Sequence, residues 1–238
     1  MTVLPVAVAG ARGRMGGALV EALAARRDMA LCAAFDVVGH GLASGPVRVE
    51  APSEAALRRS RARVLIDFTA PAGALASARM AARTGTALVV GTTGFTPAQA
   101  AALRRTVGRR VPAVVSSNFS AGVNAFWKLE ELALDLLPGY DVEITEVHHK
   151  SKKDAPSGTA REMVRIAADR GRRAPTHSLR AGDVVGDHTL VLAGPGERLE
   201  LTHRAHSRAA FAEGALRAAR WVVGARPGIH AMGEVLGL

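Results

Sequence analysis

The first 118 residues alternate short apolar runs with alanine-rich segments, and this alternation limits the possible folds more than any other feature. The apolar runs predict strands at 6–10, 30–36, 64–69, 87–93 and 113–118. The segments between them predict helices at 16–27, 53–60, 72–84 and 97–108. Nearly continuous apolar strands that alternate with helices are typical of a parallel sheet covered on both faces. The sequence therefore predicts an α/β fold with an N-terminal Rossmann-type, doubly wound parallel sheet.

The pattern changes after residue 120. Helices are predicted at 122–137, 159–171 and 210–224, and strands at 140–147, 188–194 and 198–205. Apolar and polar residues alternate in the strand at 140–147, as in a sheet with one solvent-facing side. Thr159 and Glu162 have the spacing of a capping box, and Gly171 predicts the end of that helix. A second, smaller α+β domain is therefore expected, with the last helix packing back on the first domain.

Composition excludes several classes of protein. With 238 residues and 48% hydrophobic residues, the chain can bury a substantial core. The net charge of +10 raises the question of nucleic acid, but the arginines are scattered and aromatic residues are few, so we predict no nucleic-acid partner. No apolar run is long enough for a membrane span, and the N-terminus leads directly into a strand and turn, so we expect no membrane partner and a cytoplasmic protein.

A glycine-rich turn follows the first predicted strand in "VAVAGARGRMGGALVEAL". Gly10, Gly13 and Gly16 would allow a tight turn and close packing of helix against strand, while the helix N-terminus offers N–H groups to a pyrophosphate. The spacing is GxxGxxG, with Arg12 where the usual motif has its second glycine. The turn predicts a dinucleotide site, although glycine turns also close strands for purely structural reasons.

Asp36 lies at the end of the second predicted strand, 20 residues after Gly16. A carboxylate there would accept hydrogen bonds from the adenosine ribose, and the alternative is an acid that only stabilises a turn. Val37 and Val38 follow it, so no cation for a 2′-phosphate is evident nearby and we predict NADH as the preferred cofactor over NADPH. The alternative is that one of the many other arginines of the chain reaches this position. The turns "GTTGF" at 91–95 and "SSNFSAGVN" at 116–124 follow later strands and should border the nicotinamide.

The segment "EVHHKSKKDAPSGTA" at 146–160 holds three of the four lysines in the chain. A lysine ammonium is a compact charge that can exchange a proton, unlike an arginine guanidinium, so the cluster is a candidate for chemistry. Adjacent histidines are more often a surface or core pair, and the lysines could form a solvated loop. We predict no metal, because no second group of ligands is apparent in the sequence.

Seven segments together resemble the dihydrodipicolinate reductase family, also called 4-hydroxy-tetrahydrodipicolinate reductases. They are "GARGRMG", "IDFTAP", "GTTGF", "SNFSAGVN", "EVHHKSKKDAPSGTA", "AGDVVGDHT" and "ERLELTHRAHSRAAFAEGA". The resemblance implies reduction of 4-hydroxy-tetrahydrodipicolinate by NADH or NADPH in the diaminopimelate route to lysine. It also implies a dinucleotide-binding domain at 1–119 and 209–238, and at 120–208 a mixed-sheet domain that binds a small dicarboxylate substrate and forms oligomer contacts.

The resemblance also implies roles for individual residues. His148 and Lys152 match the family's proton-donating pair, and His149, Gly158 and Thr159 match its substrate contacts. The matched cofactor contacts are Gly10, Ala11, Arg12, Gly13, Arg14, Met15, Asp36, Gly91, Thr92, Thr93, Ser116, Ser117, Asn118 and Phe119. The resemblance further implies a homotetramer, although the segment 172–187 is shorter than in many members. Ala70 stands where members that use NADPH often have arginine, which agrees with the NADH prediction.

Two alternatives stay open at this level. Another two-domain dehydrogenase could share the architecture, but a semialdehyde enzyme would need a catalytic cysteine, and the one cysteine, Cys32, is far in sequence from the substrate segment. A regulator that senses NAD(H) without turnover would have no use for a proton-donor cluster. Fold alone cannot separate these, because function depends on the site.

Overall fold

The computed structural model describes residues 3–238 and divides into two compact units, with boundaries after Phe119 and after Ala210. The elements from the start to the first boundary are β1 (Leu4–Ala9), α1 (Arg14–Ala24), β2 (Met29–Phe35), β3 (Ala43–Ser44), β4 (Val47–Glu50), α2 (Glu54–Ser60), β5 (Val64–Asp67), α3 (Pro71–Thr84), β6 (Ala87–Val90), α4 (Pro97–Val107) and β7 (Pro112–Val115). The later elements are α5 (Ala121–Leu136), β8 (Asp141–His148), α6 (Gly158–Ala168), β9 (Thr176–Arg180), β10 (Gly186–Gly194), β11 (Glu197–Ala205), α7 (Ala209–Val222), β12 (Gly228–His230) and α8 (Met232–Leu236).

The sheet of the first unit has the strand order β12-β7-β6-β5-β1-β2-β4-β3. Its pairs are parallel except for the short β3–β4 pair. The chain proceeds outward from β1 through β2 and then returns to β5 on the other side of β1. This reversal makes a topological switch point between β2 and β5, where doubly wound sheets bind ligands at the carboxyl ends of their strands.

Apolar clusters cover both faces of this sheet. On one face Leu19 of α1 and Leu216 of α7 are fully buried against the strands. On the other face Ala78 of α3 and Leu103 of α4 are buried in a second cluster. The predicted Rossmann-type sheet is confirmed, and its strands are apolar because both sides are covered. Within residues 3–238 no helix is long and apolar enough to cross a bilayer.

The second unit contains a four-stranded mixed sheet in the order β11-β10-β8-β9. β8 pairs with β9 in parallel, while β10 is antiparallel to both β8 and β11. Burial alternates along β8, so that Val142, Ile144, Glu146 and His148 share the buried face. The apolar members of this face pack with residues of α5 and α6. The predicted smaller domain with a mixed sheet is confirmed as a fold.

Two local predictions in the second unit are wrong. The helix expected at 159–171 begins at Gly158 and is capped by Ser157, whose Oγ accepts from the N–H of Ala160 at 3.1 Å. The predicted capping box at Thr159 is therefore absent, and the helix ends at Ala168, before Gly171. Strand β9 was not predicted, because "THSLR" is largely exposed and has no apolar run that would reveal it.

Glu130 on α5 is a buried carboxyl group in the core of the second unit. Its side chain is fully buried, and neither oxygen has a hydrogen-bond partner among the described residues 3–238. Burial raises the pKa of Glu130 to about 8, and the nearby charge of Glu162 adds to the rise while Arg170 opposes it. At neutral pH the group is therefore mostly protonated, which avoids an unpaired buried charge.

The stability of the protein is expected to fall as pH rises from about 4.5 to about 8. In this window the folded state holds a proton on Glu130 that the unfolded chain, with an ordinary pKa of 4.5, releases. The free energy of unfolding should decrease by at most about 1.4 kcal/mol per pH unit. Urea unfolding midpoints at pH 6 and pH 8 measure it, and Glu130→Gln should flatten the dependence. Glu21→Gln, at an exposed glutamate on α1, is the control. Equal pH slopes in wild type and Glu130→Gln would contradict the assignment.

Candidate active site

The glycine-rich turn between β1 and α1 is closely packed. Gly10 has φ +80°, and its N–H donates to the carbonyl of Phe35 at 2.8 Å. Gly13 caps α1, and its N–H donates to the carbonyl of Gly10 at 2.9 Å. A Cβ built at Gly16 would overlap that same carbonyl, so only glycine permits this approach of helix to turn. The first turn of α1 is therefore placed directly after the strand, where a pyrophosphate would meet helix N–H groups.

A cavity of about 590 Å³ opens at the carboxyl ends of β1, β2 and β5, at the switch point. Its size is in the range of small-molecule sites. It is lined by Ala9, Gly10, Arg12, Gly13, Phe35, Asp36, Val37, Val38, Pro52, Phe68, Thr69, Ala70, Gly73, Ala76 and Ser77. Four of the predicted cofactor residues line it, and the glycine turn with an acid at the next strand end fits a dinucleotide.

Asp36 accepts hydrogen bonds from one backbone N–H of the glycine-rich turn and from one of its own loop. Its Oδ2 accepts from the N–H of Arg12 at 2.9 Å, and its Oδ1 accepts from the N–H of Val37 at 2.7 Å. Each carboxylate oxygen can accept more than one bond, so ribose hydroxyls could still be bound. An arginine distant from Asp36 in sequence does approach its loop, because the Arg12 side chain packs against the backbone at Gly39. Sequence distance from Asp36 concealed this neighbour.

The predicted contacts at 91–93 and 116–119 do not line the cavity, but their loops are fixed at the same sheet edge. Thr92 donates its hydroxyl to the buried Asp67 at 2.7 Å, and Thr69 and Ser77 bond to the same carboxylate at 2.9 and 2.6 Å. Since Thr69 and Ser77 also line the cavity, Asp67 ties the loop after β6 to its wall. Asp67 was missed by sequence reasoning because its partners come from three separate segments.

Other predicted cofactor residues serve local packing. Phe119 is almost fully buried, and its ring lies 5.6 Å from that of Phe68. Ser116 donates its hydroxyl to the carbonyl of Asn118 at 2.7 Å, which shapes the loop after β7. The Phe119 ring is therefore covered by protein, whereas Ser117 of the same loop is exposed.

In the second unit His148 stands at the end of β8 with a carboxylate beside it. Its Nδ1 is in short contact with Oε2 of Glu146, which lies two residues earlier on the same face. Arg180 of β9 donates to the other oxygen of Glu146 at 2.8 Å. Burial lowers the pKa of His148 from its ordinary value, Lys152 and Arg180 add to this, and Glu146 opposes it. His148 and Lys152, which were predicted to act together, are therefore close enough to affect one another.

The other predicted substrate residues surround the loop between β8 and α6. Lys152 Nζ lies 2.7 Å from Oδ1 of Asp154, and the lysine side chain is largely covered. His149 Nδ1 lies 2.8 Å from Oγ of Ser151. Gly158 and Thr159 are the first two residues of α6, whose N-terminus carries partial positive charge. The loop thus gathers a lysine, a histidine and a helix N-terminus, the groups that would attract a carboxylate.

His188 of β10 is a second buried histidine beside His148. The two ring centroids are 5.1 Å apart, nearly edge to face. Nε2 of His188 lies 3.0 Å from Oγ of Ser157, the residue that caps α6. Burial, with His148 adding, lowers the pKa of His188 to about 3, so it is neutral near pH 7. Glu146, His148 and His188 also have the spacing of a three-ligand metal set, but both oxygens of Glu146 are already engaged by Arg180 and His148.

Sequence reasoning missed Glu146, Arg180, His188 and Asp154. Glu146 could have been found, since residues two apart on a strand share a face and the strand was predicted next to His148. Arg180 could not, because its position depends on the unpredicted pairing of β9 with β8.

The fold and the glycine turn place the chain among proteins with the architecture of Rossmann-type dehydrogenases. A myo-inositol dehydrogenase from Corynebacterium glutamicum shares this fold at 14% identity and a TM-score of 0.67, over 95% of this chain and 90% of that one. This likeness shows the fold alone.

Sequence comparisons give the family. Family models for the N-terminus and the C-terminus of dihydrodipicolinate reductase match residues 4–119 and 122–236. Proteins named 4-hydroxy-tetrahydrodipicolinate reductase from Methanoregula boonei and Thiobacillus denitrificans are 43% and 45% identical, over 98% of this chain and of each relative. A dipicolinate-bound dihydrodipicolinate reductase from a Paenisporosarcina species has a TM-score of 0.83 at 25% identity, over 98% of this chain and 99% of that one. The chain belongs to the dihydrodipicolinate reductase family, as its sequence motifs predicted.

Proposed function

We propose that the protein reduces 4-hydroxy-tetrahydrodipicolinate to tetrahydrodipicolinate, in the diaminopimelate route to lysine. The substrate gains one hydride and one proton, and its 4-hydroxyl group leaves as water. The observation that carries this proposal is the buried pair of His148 and Glu146 next to Lys152 and the start of α6. Such a site offers a proton and a positive field to an anionic substrate. Relatives that match this chain over nearly their whole length carry the reductase name, and the Paenisporosarcina structure holds dipicolinate, a small dicarboxylate.

In this proposal the second unit binds the substrate. Gly158 and Thr159 direct the start of α6 toward one carboxylate, with His149 and the Lys152 ammonium adding charge and hydrogen bonds. The two negative charges of the substrate favour the protonated form of His148, which burial alone disfavours. Substrate binding therefore prepares the acid, and His148 then protonates the reduced substrate while Lys152 stabilises the developing charge or donates in turn.

The first unit holds the cofactor in this proposal. The residues that would hold it are the turn at 10–15, Asp36, and the loops at 91–93 and 116–119. A bound reduced nicotinamide supplies the hydride. Asp36 orients the adenosine ribose, and its negative charge disfavours a 2′-phosphate, so NADH is the preferred cofactor. Arg12 lies in the same loop region and would soften this preference by pairing with a phosphate.

Cofactor preference can be measured directly. Wild type is expected to show a higher kcat/KM with NADH than with NADPH. Asp36→Asn should lower kcat/KM for NADH by about 10- to 100-fold, the usual range for losing a hydrogen bond to a charged group, without lowering it for NADPH. Asp141→Asn, at the exposed start of β8, is the control. A wild type that favours NADPH would contradict the preference.

Turnover itself separates the proposal from its alternatives. The assay follows NADH oxidation at 340 nm, with substrate formed in situ by the synthase that joins aspartate semialdehyde and pyruvate. Turnover supports the reductase. NADH binding without turnover with either nicotinamide cofactor would favour a sensor, and reduction of an unrelated substrate instead would favour another two-domain dehydrogenase. A homotetramer stays a prediction from the family resemblance, and a cytoplasmic location stays a prediction from the sequence pattern.

A further inference from the structure

Glu146 is a fully buried carboxylate that the proposed reaction does not use directly. It is placed by the alternation of β8, which puts it on the same buried face as His148. Arg180 also lies beside Glu146, because the pairing of β8 with β9 sets Arg180 opposite His148. Arg180 donates to Oε1 of Glu146 at 2.8 Å and also to the carbonyl of Asp154 at 2.7 Å. Arg180 thus connects this carboxylate to the loop that carries Asp154.

The contact between Glu146 and His148 determines which ring nitrogen carries a proton. The pKa of Glu146 is lowered: burial would raise it, but hydrogen bonds from Arg180, Ser178 and His148 outweigh burial. The group is therefore an ionised carboxylate, which can only accept hydrogen bonds. Nδ1 of His148 must then be the donor in their contact, and Nε2 is the nitrogen left for exchange with a substrate.

The surroundings of Nε2 agree with this assignment. Gly186 of β10 lies beside it, and a Cβ built there would be 3.0 Å from Nε2. The absent side chain therefore leaves room at the nitrogen that faces away from Glu146.

The neighbouring His188 has no comparable carboxylate. Its Nε2 lies beside the hydroxyl of Ser157, and its Nδ1 has no hydrogen-bond partner within residues 3–238. The Ser157 hydroxyl also accepts the N–H of Ala160, and it can donate to His188 or accept from it, so this contact does not determine the His188 tautomer. Within residues 3–238, His148 is the one of these two buried histidines whose ring contacts a carboxylate directly.

We propose that Glu146, held by Arg180, is a positioning residue that fixes His148 in the Nδ1-protonated tautomer and presents Nε2 to the substrate. The proposal rests on His148 being the proton donor of the proposed function. The charged or titratable groups around His148 are Glu146 on its own strand, Arg180 from β9, His188 from β10 and Lys152 from the following loop. Among them Glu146 alone is negative, so its removal changes both the tautomer and the ease of protonation.

The test compares Glu146→Gln with wild type in two independent measurements. Long-range ¹H–¹⁵N NMR of ¹⁵N-histidine protein reports the tautomer and titration of His148 without any turnover, with His148→Gln assigning the signal. The expected wild-type tautomer carries its proton on Nδ1. In Glu146→Gln the tautomer should become mixed, the His148 titration should move to lower pH, and kcat should fall about tenfold or more, since misplacing the proton of a catalytic histidine is costly. KM for the substrate should stay within about twofold, as the substrate contacts are elsewhere.

The chain provides a matched control in Glu143→Gln. Glu143 lies on the same strand and pairs with the exposed His177 at 2.8 Å, so the same change is made at a Glu–His pair outside the site. Glu146→Asp keeps an acceptor-only carboxylate and should restore the Nδ1 tautomer with part of the activity.

Several outcomes would overturn the proposal. A wild-type His148 protonated on Nε2 when neutral would do so without any variant, even if Glu146→Gln fails to fold. Unchanged tautomer, titration and kcat in Glu146→Gln would also overturn it. Stoichiometric binding of added Zn²⁺ that shifts both buried histidine signals and is lost in Glu146→Gln would make the cluster a metal site instead. If wild type has no turnover but its Nδ1 tautomer is lost in Glu146→Gln, the proposed function is wrong, while the role of Glu146 in orienting His148 is supported.

Discussion

Replacing His148 by Gln is expected to lower kcat by about 10²-fold or more, the usual contribution of a general acid. Glutamine cannot donate a proton to the reduced substrate, yet its amide can still donate to Glu146, so the buried carboxylate keeps a partner. The loss should therefore fall on the chemical step rather than on folding. Binding of dipicolinate, measured by calorimetry, should change by only a few-fold.

The pH dependence gives this prediction a second measurement. In the free protein burial lowers the pKa of His148 below 6.5, and Lys152 and Arg180 contribute in the same direction. Because the acid must be protonated, kcat/KM in wild type should fall with rising pH, beginning below pH 6.5. The fall in kcat should occur at higher pH, because the bound dianion favours the imidazolium. His148→Gln should lose both dependences. His177→Gln, at an exposed histidine on β9, is the control, and near-normal turnover in His148→Gln would remove the residue from the acid role.

The sequence predicted the first unit well because its strands are buried on both faces. Residues such as Val64 to Ile66 and Leu88 to Val90 are fully buried, and a strand covered on both sides must be apolar throughout. The glycine turn was equally visible, since the Gly10 and Gly16 backbones leave no space for side chains. These features depend on contacts close in sequence or on simple burial, so a pattern reveals them.

The site in the second unit was only partly predictable. The predicted strand at 140–147 stopped one residue before His148, which hid its period-two relation to Glu146. Arg180 reaches Glu146 only because β9 joins the sheet beside β8, and nothing in the exposed sequence of β9 indicates that pairing. Residues that orient a catalytic side chain are therefore harder to predict than residues of a sequence motif, because their contacts depend on which strands pair in the folded protein.

Lys152→Ala is expected to lower kcat/KM by about 10²- to 10³-fold, the range seen when one group that stabilises developing charge is removed. The Lys152 side chain is held by Asp154 at 2.7 Å, so its ammonium is positioned before the substrate arrives. Both the affinity for dipicolinate and the turnover number should fall, since the same charge meets the carboxylates and the reacting centre. Lys153→Ala removes an exposed neighbouring lysine and should leave turnover near that of wild type.

Lys152→Arg then separates the two roles proposed for the ammonium. Arginine keeps the charge but does not release a proton near neutral pH. Substantial activity in Lys152→Arg would therefore mean that Lys152 stabilises charge. A loss of activity as large as in Lys152→Ala would favour proton donation by Lys152. The pH profile provides a further test, because the direction of its shift can be predicted. Lys152 lowers the pKa of His148, so Lys152→Ala should move the fall in kcat/KM to higher pH, opposite to the shift expected for Glu146→Gln. Shifts in the same direction in both variants would contradict the assignment, because Glu146 raises the pKa of His148 and Lys152 lowers it.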